Sequence, residues 1–298
     1  MPIPTNDPIV CVPVATPFDE EDQVDLDAVG RNVERWLKTP LTCFIVGTAT
    51  GEEWYLCEQE KLEIARAVRD AVDDRRCVIG GIDCPSVTET LRRAEAFAEA
   101  GAEMLRVRLP RYESTVESYF EQVLSRCPLP VVLMHQTAPE LFGAAGRPAA
   151  SEHIIGRICN MDGVFGYTTD HDMRFEARVR KQVPADRRFW ICNGSMILSG
   201  TVIGCNGTTT AIANVLPGAL DELLRLGMAG KYDEAQPLQE KVERVDAVML
   251  PYISAGVKAA LGLLGFEGMR PRSPIAPMPA DAVAKLETVM RDCGFLPE

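Results

Sequence analysis

Basic residues are in short supply: 31 Lys and Arg face 43 Asp and Glu, for a formal charge of −12. A nucleic-acid surface needs a basic patch or stripe, so no nucleic-acid partner is expected. No apolar run approaches the roughly 20 residues of a membrane span, and no membrane is expected as a partner either. The opening Met-Pro-Ile-Pro-Thr-Asn-Asp lacks the charged and apolar regions of a signal peptide. Histidine is scarce, with His135, His153 and His171 making up the supply. Among ten cysteines no pair is spaced C-x-x-C, the spacing of common zinc and dithiol sites. Cys11, Cys43, Cys77, Cys192 and Cys205 lie in or beside apolar strand-like segments, where a reduced cysteine acts as a small hydrophobe. These absences lead to the expectation of a reduced, cytoplasmic protein with no metal and no cofactor.

What is present is ample material for a core, 46 % hydrophobic residues against 25 % charged over 298 residues. Strand-like runs at 9–14, 43–46, 77–81, 104–107, 131–134, 163–166, 189–192 and 207–212 alternate with amphipathic stretches of helical period. Eight β-then-α units at this spacing fit a closed (β/α)8 TIM barrel. The rival, an open doubly wound sheet, is weakened because no Gly-x-Gly-x-x-Gly turn follows the first run. Ser86-Val87-Thr88-Glu89 has the form of a capping box, and Gly101 stands where that helix should stop. Residues 1–230 are assigned to the barrel. Residues 231–298 are assigned to a C-terminal helical extension with helices at 232–250, 253–264 and 281–293.

In such barrels the reactive groups sit at the C-terminal ends of the strands. The second run ends in Gly47-Thr48-Ala49-Thr50-Gly51-Glu52, whose glycines and hydroxyls suit an anion cradle. The fourth contains Leu105-Arg106-Val107-Arg108. Strand alternation puts Leu105 and Val107 on the helix side and turns both arginines inward, with Glu52 and Asp83 as expected partners. An internal ion-pair network is one reading of these arginines; a grip by Arg108 on a substrate carboxylate is the other. Leu109-Pro110-Arg111-Tyr112 follows, and the fifth run ends at Met134-His135. A histidine at a strand end is a candidate for proton transfer. Asp170-His171-Asp172, a conceivable metal cluster with His135, equally suits the cap and first turn of the next helix.

These motifs in their order resemble the dihydrodipicolinate synthase and N-acetylneuraminate lyase family along nearly the whole chain. The Gly47–Glu52 segment resembles its Gly-Thr-Thr-Gly-Glu carboxylate loop with one extra residue, so that Ala49 stands where the family has a proton-relaying threonine. Pro110-Arg111-Tyr112 resembles its Pro-x-Tyr, which implies a proton shuttle at Tyr112. His135 replaces the amide of its Tyr-Asn-x-Pro. Cys192-Asn193-Gly194-Ser195 resembles the neuraminate-lyase branch without the acidic residues that there follow Asn-Gly, and Ala213-Asn214 follows the family's Ala-Asn. Gly166-Tyr167-Thr168 stands where the family carries Gly-x-Lys, whose lysine forms a Schiff base with a 2-keto acid; a threonine hydroxyl forms no imine. Lys258 matches a family lysine that lies outside the imine site, and no other lysine is expected at a strand end.

The resemblance implies a homotetramer built as a dimer of dimers. It also implies a small-molecule carboxylate substrate, with a 2-oxo acid or a relative as the expected class. Tyr112, His135 and Thr168 are the expected catalytic residues. Thr48, Thr50, Gly51, Arg108, Asn193 and Gly194 are the expected substrate-binding residues. The leading expectation is an enzyme of lyase, hydratase or tautomerase type working by proton transfer without a Schiff base. The alternatives are a catalytically silent barrel that binds a metabolite or partner, and an ordinary pyruvate-type aldolase if another lysine reaches the site.

Overall fold

The computed structural model describes residues 8–83, 86–135, 148–169 and 172–297. Eight parallel strands close on themselves in sequence order: β1 (Ile9–Pro13), β2 (Cys43–Val46), β3 (Cys77–Ile82), β4 (Met104–Arg108), β5 (Val131–His135), β6 (Val164–Thr169), β7 (Arg188–Ile191) and β8 (Gly207–Thr209). The barrel helices are α1 (Leu26–Trp36), α2 (Glu58–Val72), α3 (Val87–Glu99), α4 (Glu113–Leu124), α5 (Glu152–Cys159), α6 (Met173–Gln182), α7 (Ile197–Val202) and α8 (Pro217–Met228). Three more helices, α9 (Tyr232–Met249), α10 (Ile253–Leu263) and α11 (Ala280–Asp292), form the C-terminal extension. The fold is a (β/α)8 TIM barrel with a helical C-terminal extension, as the alternation of runs implies.

Period-two alternation divides the core in two. Val10, Phe44, Val78, Leu105, Val107 and Leu133 face the helices, while Cys11, Cys43, Cys77, Met104, Val132 and Trp190 fill the barrel. Closure between β8 and β1 is helped by Asn214, whose Oδ1 accepts from the Ala15 N–H and whose Nδ2 donates to the Pro13 carbonyl. The Ser86 hydroxyl accepts from the Glu89 N–H at 3.3 Å, while the Glu89 carboxylate turns away to Arg92. A reciprocal box forms instead at Cys57, whose thiol accepts from the Glu60 N–H while the Glu60 carboxylate receives the Cys57 N–H.

Residues 232–263 include a stretch long and apolar enough to span a membrane by length and composition, although charged residues interrupt its apolar runs. In the fold this stretch is broken at Ile253, where φ is 50°, and Val242, Val245, Met249 and Leu261 are buried in the outer core. Glu52 fastens the extension to the mouth of the barrel. Its carboxylate pairs with the buried Lys258 ammonium at 2.7 Å and accepts from the Arg272 N–H at 2.9 Å.

Candidate active site at the barrel mouth

The loop after β2 folds into a 3-10 turn, Ala49–Gly51, capped by Thr48. The Thr48 hydroxyl accepts from the Gly51 N–H, and the Thr16 hydroxyl donates to the Gly51 carbonyl. A Cβ on Gly51 would lie 2.6 Å from the Val14 carbonyl oxygen, so the loop packs against the end of β1 only with glycine there. The N–H groups of Gly51, Glu52 and Glu53 are engaged inside the turn. An anion at this loop would therefore be met by the N–H groups of Ala49 and Thr50 and by the hydroxyls.

The arginines of β4 turn inward, since Leu105 and Val107 lie in the outer core and Met104 in the inner one. Their main partner differs from expectation. Glu53, not Glu52, bridges them, at 3.3 Å from Arg106 Nη2 and 3.2 Å from Arg108 Nη2. The reason is local: Glu52 takes a left-handed conformation, φ 63°, which sends its carboxylate to Lys258. Asp83 is the expected second partner, 2.9 Å from Arg108 Nε. Arg106 also donates to the Gly47 carbonyl at 2.8 Å, and burial lowers its pKa. This network surrounds Arg108 with carboxylate, so a substrate carboxylate would have to displace Glu53 or Asp83 to reach it.

On β6 the alternation separates two chemistries. Tyr167 and Thr169 face outward, and Thr168 faces the barrel interior between Met134 and Trp190 of the flanking strands. Thr168 is fully buried, and its Oγ1 lies 3.0 Å from Cys192 Sγ at the end of β7. Cys192 is partly exposed, unlike the sealed interior thiols, and reading it as one more small hydrophobe missed this placement. The usable signal was its position: like Thr168, it sits at the C-terminal end of a strand on the inner face.

His135 is not at the rim. It pairs with the outward Thr169, and its ring lies beneath α6: Nδ1 is 2.9 Å from the Tyr167 hydroxyl, and Nε2 accepts from the Ala149 N–H at 3.0 Å. Glu176 completes this buried group by accepting from the Thr169 hydroxyl at 2.7 Å. The same alternation that turns Met134 inward turns His135 out, which corrects its placement beside the reacting atoms.

Tyr112 stands at the N-cap of α4 without a side-chain capping bond and is 76 % exposed. The Asn193 side chain accepts from the Ser195 N–H, and the buried Gly194 gives its carbonyl to Gln239 of α9. Behind Gly194 lies Asp246, 2 % exposed; its Oδ1 is buried without a hydrogen bond, and burial, with neighbouring Glu243, pushes the carboxyl up to about 6. Asp172 caps α6 by accepting from the Phe175 N–H, while Asp170 and His171 lie outside the described residues. Among the described residues no group of three or more His, Cys, Asp or Glu is placed to hold a metal ion.

Every lysine lies on a helix or at a helix end, none on a strand. Lys61 of α2 lines a cavity of about 170 Å³ together with Glu53, Asp83, Arg93 and Phe97, and burial lowers its pKa.

A closed parallel barrel with buried charges and hydroxyls at the C-terminal ends of its strands is the plan of the (β/α)8 class. The comparisons narrow that class. The chain belongs to the dihydrodipicolinate synthetase family, whose model matches residues 8–292. It is 29 % identical to a 4-hydroxy-tetrahydrodipicolinate synthase of Exiguobacterium over 94 % of this chain and 96 % of that one. It is 30 % identical to an uncharacterized DapA-like lyase of Halobacterium salinarum over 96 % and 94 % of the two chains. Its fold matches the dihydrodipicolinate synthase of Acinetobacter baumannii complexed with pyruvate with a TM-score of 0.87, at 18 % identity over 97 % and 99 % of the chains.

Proposed function

We propose that the protein acts on a small carboxylate, a 2-oxo acid or a close relative, by proton transfer without a Schiff base. The observation that carries this reading is the inner face of β6, where a buried threonine hydroxyl stands in a barrel whose strands carry no lysine. An imine would supply an electron sink; without one, the charge that develops on a ligand oxygen must be met by hydrogen bonds and cations. Thr168 supplies a hydroxyl and Arg106 a buried cation on the same inner face. The Thr48–Gly51 turn is the carboxylate end of the site, with Asn193 and Gly194 on the opposite wall. Tyr112, exposed on a single chain, takes part only when another copy brings it against a mouth, which accords with a tetramer built as a dimer of dimers.

One observation favours a second reading. Lys61, with its pKa lowered by burial, lines a cavity shared with the two carboxylates that hold Arg108, and an uncharged amine is the form that attacks a carbonyl. Borohydride reduction in the presence of pyruvate and a panel of 2-oxo acids separates the two. The expected outcome is no adduct by intact mass while an imine-forming aldolase is trapped alongside. A stoichiometric adduct mapped to Lys61 or any other lysine overturns the proposal and restores ordinary aldolase chemistry.

A further inference from the structure

Cys192 is the feature of the mouth that the proposed function leaves unused. Three observations converge on it. It follows β7 on the same face as Trp190, and its Sγ lies 3.0 Å from the Thr168 hydroxyl. Arg106, turned into the same barrel from β4, keeps a buried Nε that has no hydrogen-bond partner, a donor left over inside the barrel. Cys192 is also partly exposed, whereas Cys11, Cys43 and Cys77 deeper in the barrel are at most 1 % exposed. A partly exposed thiol against a hydroxyl, in a barrel that also holds a buried cation, suits a reactive cysteine, while apolar burial leaves a thiol inert.

We infer that Cys192 is the acid–base group of this site, a thiolate that removes a proton from the carbon next to the carbonyl of the bound 2-oxo acid. The inference rests on the substrate class proposed above. In the step, the S–H bond forms and the C3–H bond breaks. The C–H electron pair becomes the C2–C3 double bond, and the carbonyl π pair moves onto oxygen. That enolate oxygen is met by the free Arg106 Nε–H and by Thr168. Return of the proton from sulfur to the carbon, or its delivery elsewhere by solvent, restores the thiolate. No oxidant or co-reactant is needed. A thiol differs from an imine-forming amine in that it handles the proton and leaves charge stabilisation to the arginine, which explains a cation buried at this depth.

The test needs no knowledge of the product. Exchange of the pyruvate methyl protons in D2O is followed by NMR with the intact protein and with Cys192→Ala, while the native protein and its urea-unfolded form are alkylated by iodoacetamide and mapped by peptide mass. The expected result is methyl exchange that falls at least 100-fold in Cys192→Ala, together with alkylation of Cys192 at least ten-fold faster in the folded protein than in the unfolded one. Exchange that persists in Cys192→Ala overturns the inference. If the native protein exchanges nothing, the alkylation decides. Enhanced labelling then upholds the reactive thiol and removes 2-oxo acids from the proposed function, and labelling no faster than in the unfolded chain removes the thiol.

Discussion

Asp246 and Glu53 are both buried carboxyls and have opposite relations to their surroundings. Among the described residues no cation pairs with Asp246, and burial, with neighbouring Glu243, raises its carboxyl from 3.8 to about 6. With the folded value above the unfolded one, the neutral form stabilises the fold fully below about pH 3.8, and that contribution is lost as pH rises through about 6. Asp246→Asn is expected to raise stability by up to about 3 kcal/mol above pH 7. The gain should vanish near pH 4, read as the urea midpoint at both pH values. Glu53 instead joins two arginines that are at most 9 % exposed. Glu53→Gln leaves them short of a counter-charge, and a loss of about 3–5 kcal/mol in urea unfolding is expected. A loss under 1 kcal/mol would mean that Asp83 and water suffice. At this scale the sequence was partly legible. Alternation predicted the inward arginines, yet it cannot tell Glu52 from Glu53, because one left-handed residue decides which carboxylate faces the barrel. The same rule, applied at His135, argues for the outer wall; the scarcity of histidine had outweighed it.

The elements themselves were the most readable part. Runs of Val, Ile and Cys bounded by turns located the strands within a few residues, because strands buried on both faces read as continuous apolar segments. The largest misses are β6, read as 163–166 and running on to Thr169, and β8, read as 207–212 and ending at Thr209, after which Ala211–Asn214 coils into a 3-10 turn. The apolar Ile212 suggested strand, but its burial comes from packing in the outer core after the strand has ended. Close approach between strand ends is invisible in a sequence. Gly81 of β3 sits so near the β2 loop that a Cβ would lie 2.1 Å from the Gly47 carbonyl oxygen and 2.7 Å from that of Val46. Both atoms are backbone, so neither yields cheaply. Gly81→Ala is expected to cost about 3 kcal/mol or more and to loosen the Thr48–Gly51 turn. The check is a thermal melt together with hydrogen exchange at Thr48–Gly51, and an unshifted melt would show that the strand ends part easily.

For the molecule as a whole, membership of the family follows from order and extent, with matched motifs running from the first strand to the extension. Chemistry does not follow from that membership; under the function proposed above it rests on a few inward positions such as Thr168 and Cys192. The floor of the barrel has its own consequence. Cys11, Cys43 and Cys77 stand in register on neighbouring strands, with burial and their mutual contacts pushing the Cys43 thiol up. No reagent reaches them while the barrel is closed, and a closed barrel has no edge from which to fray. Their labelling by a thiol reagent is therefore expected to advance together, at the pace set by opening of the entire sheet rather than by any local motion. The protein carries an internal stopwatch for its own unfolding, three hands on one dial, and labelling of one thiol well ahead of the other two would reveal a seam where the barrel parts first.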